Sequence, residues 1–201
     1  MHSVAGFADY RPATNFLCHV SANLRPWLQV TEQAKRFERE HHRLSVPLVP
    51  SSLAHLAQLD ALLARPGGAA LLIGACGSGR RDSALLVAFC HCLAVHSPPG
   101  VHDGGLRHFK ATLKDVIREA GVAGRPALLL IEDHHITDDA VLHSLNSLLA
   151  SGEVPGLFTS DEWEKEVKGL EDARSESGAQ STSLADFCTA RIRKVSFDLV
   201  T

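Results

Sequence analysis

The sequence predicts an α/β fold, a parallel sheet flanked by helices. Three observations predict it. Residues 69–73 and 126–131 are short, unbroken apolar runs bounded by turn residues, the pattern of strands buried on both faces. A glycine-rich turn follows the first run, and two carboxylates end the second. The segments around them carry apolar residues at intervals of three and four, the spacing of helices that cover a sheet.

The elements follow in order. Residues 27–42 hold a polar helical stretch, Gln33-Ala34-Lys35-Arg36-Phe37-Glu38-Arg39-Glu40, and Pro47 and Pro50 break any helix after it. Ser51 and Ser52 can cap a second helix over 53–64, in which Leu53, Leu56, Leu59, Leu62 and Leu63 form one apolar stripe. Arg65-Pro66-Gly67-Gly68 ends that helix, and the strand 69–73 begins. After a turn at 74–79, residues 82–90 read as a helix. A weak short strand is expected near 93–95, and a loop over 96–105, which carries Pro98, Pro99, Gly100, Gly104 and Gly105. Residues 106–120 place Leu106, Phe109, Leu113, Val116 and Ile117 on one helical face, and 121–125 is a turn. The second strand, 126–131, ends in Glu132-Asp133. Asp138-Asp139 starts a helix through Leu149, stopped by the turn residues of 152–156. A charged helix over 160–173, a polar flexible segment over 175–183, a helix over 184–194 and a truncated strand over 195–200 complete the reading.

Composition narrows the function classes. The 201 residues are room for one ordinary domain, and 45% hydrophobic with 21% charged residues is globular. A net charge of −3 gives no basic field for nucleic acid. The longest apolar stretches, 69–73, 84–90 and 127–131, fall short of the roughly 20 residues of a membrane helix. The first ten residues lack a basic-then-apolar signal pattern. Five irregularly spaced cysteines suit free thiols in a reducing compartment. Cys90-His91-Cys92 has no second pair downstream, so it reads as structural rather than metal-binding. The adjacent pairs His41-His42 and His134-His135 make poor chelates.

The chemistry concentrates at the two strand ends. Gly74-Ala75-Cys76-Gly77-Ser78-Gly79-Arg80-Arg81 fits the P-loop frame of Gly, four residues, Gly, then a cation. The glycines let backbone N–H groups curl around a phosphate, and the helix N-terminus adds partial positive charge. Arg80 keeps the loop's cation. Arg81 stands where a metal-ligating Ser or Thr is usual, and Ser83 comes two positions late. The strand ending in Glu132-Asp133 has the Walker B pattern, one acid near Mg²⁺ and one near the attacking water. Here the usual Asp-then-Glu order is reversed, so Glu132 faces the metal position and Asp133, one methylene short, the water. A misplacement of about 1 Å can cost on the order of 100-fold in rate. The pair of motifs predicts a P-loop NTPase fold with phosphate held by Gly74, Cys76, Gly77, Ser78, Gly79, Arg80 and Arg81, and poor hydrolysis.

Further residues carry a resemblance to a known family. Asn146-Ser147-Leu148-Leu149-Ala150-Ser151-Gly152-Glu153-Val154-Pro155-Gly156-Leu157-Phe158 resembles the segment after Walker B in dynein heavy chains. The run from Arg65 to Gly74 resembles the approach to the P-loop in the later AAA+ modules of the dynein ring, and Phe109 to Gly121 the helix before Walker B. The Arg80-Arg81 pair and the Glu132-Asp133 order are most similar to the fourth module of the dynein-2 type, the retrograde motor of intraflagellar transport. The resemblance covers about residues 44–194, with 1–43 poorly matched and 195–201 a truncated or divergent tail that departs from the family's sensor strand.

The resemblance implies an AAA+ core, incomplete at its C-terminus, as one module of a six-module motor that moves toward microtubule minus ends by ATP hydrolysis. The module itself is expected to bind ATP or ADP, with Mg²⁺ if a metal is bound, in a regulatory or structural role. Implied partners are the neighbouring AAA+ modules, a microtubule reached through a stalk, and light intermediate and other accessory chains. No sustained heptads for such a stalk occur in this sequence. The implied location is the cytoplasm, cytoskeleton and cilium or flagellum. Two alternatives come from other classes, an independent small P-loop NTPase or nucleotide kinase, and a non-nucleotide interaction module that keeps only the P-loop fold.

Overall fold

Strand β3, Ala127–Glu132, is apolar at every position but its last and is buried from Ala127 to Ile131. Its alternating side chains feed two separate cores, as the strand period of two requires. Leu128 and Leu130 enter one core, and Ala127, Leu129 and Ile131 the other. Helices therefore lie on both faces of the sheet, the three-layer arrangement expected from the sequence. The computed structural model describes residues 25–65, 67–99, 105–136, 138–152, 154–168, 188, 190–193 and 195–200.

The first core takes α1 (Arg25–Glu40), α2 (Pro50–Leu63) and α3 (Arg80–Cys90). Val30, Ala34 and Phe37 of α1 join Leu56, Leu59 and Leu63 of α2 and Leu86 and Val87 of α3 there. Helix α2 starts at Pro50, earlier than the expected 53. Proline's fixed φ suits the first helical position, and Ser52 Oγ accepts the Val49 N–H from inside the first turn. A buried pair ties the ends of α2 and α3, with His91 Nε2 2.8 Å from Asp60 Oδ1.

The second core takes α4 (Gly105–Ile117) and α5 (Asp139–Ser151), together with Leu157, Cys188, Ile192 and Val195. The expected helix 106–120 does not stop in a simple turn. It widens into a π-helical turn, Arg118–Val122. A Cβ on Gly121 would stand 2.7 Å from Cys188 Sγ, so glycine is what lets this turn approach its neighbour. Short helix α6, Ser160–Lys168, matches the described part of the expected charged helix. The expected segments at 175–183 and most of 184–194 lie outside the described residues, apart from helical residues at 188 and 190–192.

Strands β1 (Ala69–Leu72), β2 (Ala94–His96), β3 and β4 (Ser196–Val200) form one parallel sheet in the order β1-β4-β3-β2. The truncated strand expected over 195–200 is present as Ser196–Val200, and it lies between β1 and β3 and pairs with both. The reason is the hydrogen-bonding need of two strands whose facing edges would otherwise be unpaired. The register aligns Leu72 with Val200 and Val200 with Glu132. The carboxyl ends of β1 and β3 are thus level, separated by one strand, on the edge where α/β sheets hold ligands.

Candidate functional site

The loop after β1 turns into α3 through two glycines in the left-handed region, Gly77 at φ 78° and Gly79 at φ 78°. A Cβ on Gly79 would also meet Val46 Cγ2 at 2.3 Å, so glycine is required there twice over. Gly79 is the N-cap of α3, and with no side chain to cap it, the helix end leaves backbone N–H groups turned toward the loop. A Cβ on Gly74 would lie 3.2 Å from Ser78 Oγ and 3.4 Å from Arg80 Cδ. The start of the loop, its serine and its arginine are therefore gathered at one place. Cys76 is exposed.

Arg80 Nη1 is buried and has no hydrogen-bond partner among the described residues. A buried charged donor without an acceptor is costly and rare in folded proteins. The loop's own N–H groups are donors too, so an anion in this cradle would satisfy both.

Arg81, the next residue, turns to the other half of the site. Its Nη1 donates to Glu132 Oε1 at the end of β3. Glu132 is held from its other side as well. Its backbone N–H donates to His135 Nδ1 at 3.0 Å, and His134 Nδ1 stands 4.0 Å from Oε2. Residues Asp133–His135 form a single tight turn that brings both imidazoles back onto the strand end. Burial holds the His135 pKa below the ordinary imidazole value. The neighbouring His134 and Arg81 push it the same way, while Glu132 opposes them. The Asp133 side chain is exposed.

A Mg²⁺ site in this frame needs a hydroxyl after the loop cation and a free carboxylate at the strand end. The hydroxyl is not supplied, and the carboxylate at the metal position is already paired. Arg81 replaces the hydroxyl, Ser83 is buried in α3, and Glu132 already carries a guanidinium. The donor set does not fit Mg²⁺. Among the described residues there is also no group of three or more His, Cys, Asp or Glu placed to hold a metal.

A clamp unforeseen in the sequence closes the site from the α1 side. Asp82, in the first turn of α3, accepts from the Ser45 N–H at 2.8 Å and from the Ser45 hydroxyl, and lies 3.2 Å from His42 Nε2. Burial raises the Asp82 pKa, but the Ser45 and His42 bonds outweigh it, and the carboxyl sits below its ordinary value. These bonds lay residues 42–46 over the start of α3 and seat Val46 on Gly79. Only the fold brings residues 37 positions apart together, so no local spacing could announce the contact.

The sequence readings thus meet at one sheet edge. Gly74, Gly77, Ser78, Gly79 and Arg80 gather in the loop, and Arg81 and Glu132 touch across it. The Cys90-His91-Cys92 run has no common focus. Burial pushes the Cys90 thiol up to about 12, His91 faces Asp60, and Cys92 is exposed.

Comparison with known proteins agrees with this arrangement. Residues 44–197 match the family described as the P-loop containing dynein motor region D4. Cytoplasmic dynein 2 heavy chain 1 of Chlamydomonas reinhardtii is 41% identical over 168 residues, 82% of this chain and 4% of that protein. The human protein of the same name is 37% identical over 142 residues, 71% of this chain and 3% of its own length. Dynein-1-beta heavy chain of the flagellar inner arm I1 complex, from the same alga, is 33% identical over 168 residues, again 82% of this chain and 4% of that protein. The chain therefore spans only a few per cent of these relatives. With the loop, the acidic strand and a family match over most of its residues, the chain belongs to the dynein motor D4 family of P-loop AAA+ modules.

Proposed function

We propose that this chain is the nucleotide-binding D4 module of a dynein-2-type motor, holding ATP or ADP without hydrolysing it. The buried Arg80 Nη1, without a partner among the described residues and on a side chain whose Cδ and Nε lie beside Gly74, carries the reading. A phosphate in the loop is the anion that would satisfy it. Weak hydrolysis follows from Arg81 on Glu132 and from the exposed, shorter Asp133 at the water side. A module that binds and does not turn over acts on its motor through occupancy, in a structural or regulatory way.

The family resemblance extends the proposal to the whole motor. It would be driven by ATP at other modules, move toward microtubule minus ends and serve retrograde intraflagellar transport. It would work in the cytoplasm and cilium, on the cytoskeleton, with no role in nucleic-acid binding or membrane insertion. Partners would be neighbouring AAA+ modules, a microtubule reached through a stalk, and light intermediate and other accessory chains. Exposed Leu142 and Leu149 on α5, and Leu71 and Ile73 at β1, are apolar surface suited to neighbouring modules.

Titration with a fluorescent ATP analogue tests the core of the proposal. Binding by the chain, weakened about tenfold or more in Arg80→Ala, is the expected result, since hydrogen bonds to charged groups contribute about 1.5–3 kcal/mol. Equal affinity in the variant would mean that the loop is not the site. The second reading, an interaction module that keeps the fold without nucleotide, is favoured by the Arg81–Glu132 pair across the site. It predicts no binding at all.

A further inference from the structure

We propose that the Arg81 guanidinium is a built-in cation standing where a P-loop site takes its divalent metal, so that this module holds a nucleoside di- or triphosphate without Mg²⁺. The inference rests on the nucleotide reading of the loop and adds how its charge is balanced. Three placements support it. The Arg81 Nη1 donor on Glu132 Oε1 neutralises the carboxylate that a metal would use. The Arg81 side chain remains 53% exposed even so. Guanidinium carries five N–H donors in a fixed plane, so one edge can hold the carboxylate while another meets a phosphate oxygen. Last, the histidine turn fixes the strand end beneath that carboxylate, the Glu132 N–H donating to His135 Nδ1 at 3.0 Å and His134 Nδ1 standing 4.0 Å from Oε2.

The electrostatics point the same way. A divalent ion reaching Glu132 would meet a fixed positive charge at contact distance, and it would have to displace Arg81 to be coordinated. It would also find no hydroxyl at the head of α3, because position 81 holds the arginine itself. The guanidinium is part of the chain itself, so the substitution is independent of metal supply. It delivers one charge in place of two. That suffices to hold a polyphosphate and is less than phosphoryl transfer uses in this fold.

The test is a fluorescence titration of the 201-residue chain with methylanthraniloyl-ADP, once in EDTA and once in Mg²⁺. Affinities within about threefold of each other are expected, well under the tenfold that 1.4 kcal/mol represents. In Arg81→Ser, which frees Glu132 and restores a hydroxyl, binding in EDTA should fall about tenfold and Mg²⁺ should recover it. Wild-type binding that requires Mg²⁺ would overturn the inference and leave the nucleotide reading standing. So would an Arg81→Ser chain with wild-type circular dichroism and unchanged affinity in EDTA. No wild-type binding in either buffer would remove the nucleotide reading and this inference with it. The wild-type comparison decides the matter even if the variant fails to fold.

Discussion

Gly77 and Gly79 share the same left-handed φ, yet they should respond differently to substitution. A Cβ on Gly77 meets nothing within 4 Å, whereas one on Gly79 runs into Val46. Gly77→Ala should therefore cost about 1–2 kcal/mol from backbone strain alone. Gly79→Ala should cost more, because Val46 must also move from its buried seat, and urea midpoints of the two variants measure the difference. At this scale the sequence was informative wherever the chemistry is local. The glycines, Arg80 and the two acids announce themselves by spacing, and Arg81 is visibly out of place in the frame. The partners that complete the site, Ser45 and His42 on Asp82 and His135 on Glu132, depend on packing between distant elements or on the turn that Asp133–His135 happens to adopt.

Helix α6 shows the same limit between residues and elements. Thr159 and Glu162 form a reciprocal cap, with the Thr159 N–H donating to Glu162 Oε2 at 3.0 Å and the Glu162 N–H to Thr159 Oγ1 at 3.3 Å. Lys114 Nζ of α4 donates to the same carboxylate at 2.9 Å, and Arg118 Nε to Glu166 at 2.7 Å, so the cap also docks α6 on α4. The Thr-x-x-Glu spacing was present in the sequence, but its second role needs the neighbouring helix. The Thr159 N–H, followed by Lys114, holds the Glu162 pKa down to about 2 from its ordinary 4.5. A lowered carboxyl pKa stabilises the folded form fully above the unfolded value. That contribution is lost as pH falls from 4.5 toward about 2. Protection factors of α6 amides, corrected for the intrinsic exchange rate at each pH, should fall across that window, and in Glu162→Gln they should already be low at neutral pH. Between α2 and α3, Asp60→Ala leaves His91 buried without this partner and should lower stability by about 1–3 kcal/mol, read from denaturant unfolding.

For the whole molecule, the class of fold and the order of its elements were legible because two buried strands and their crossovers carry strong periodic signals. The role of the last strand was not. Five residues containing Ser196 and Asp198 lack an unbroken apolar run, and only the empty place between β1 and β3 makes them central. That placement predicts that ending the chain at residue 194 removes the strand joining the two halves of the site. Far-ultraviolet circular dichroism should then show loss of the cooperative transition rather than a small shift. The same sheet brings the loop and Glu132 level, so the account as a whole is a claim about what sits between them. Its most direct test is to incubate the chain with radiolabelled ATP, collect it by filter binding and identify the retained nucleotide by chromatography. The account predicts retained, unhydrolysed ATP. An empty filter, or steady release of inorganic phosphate at many turnovers per chain, would contradict it.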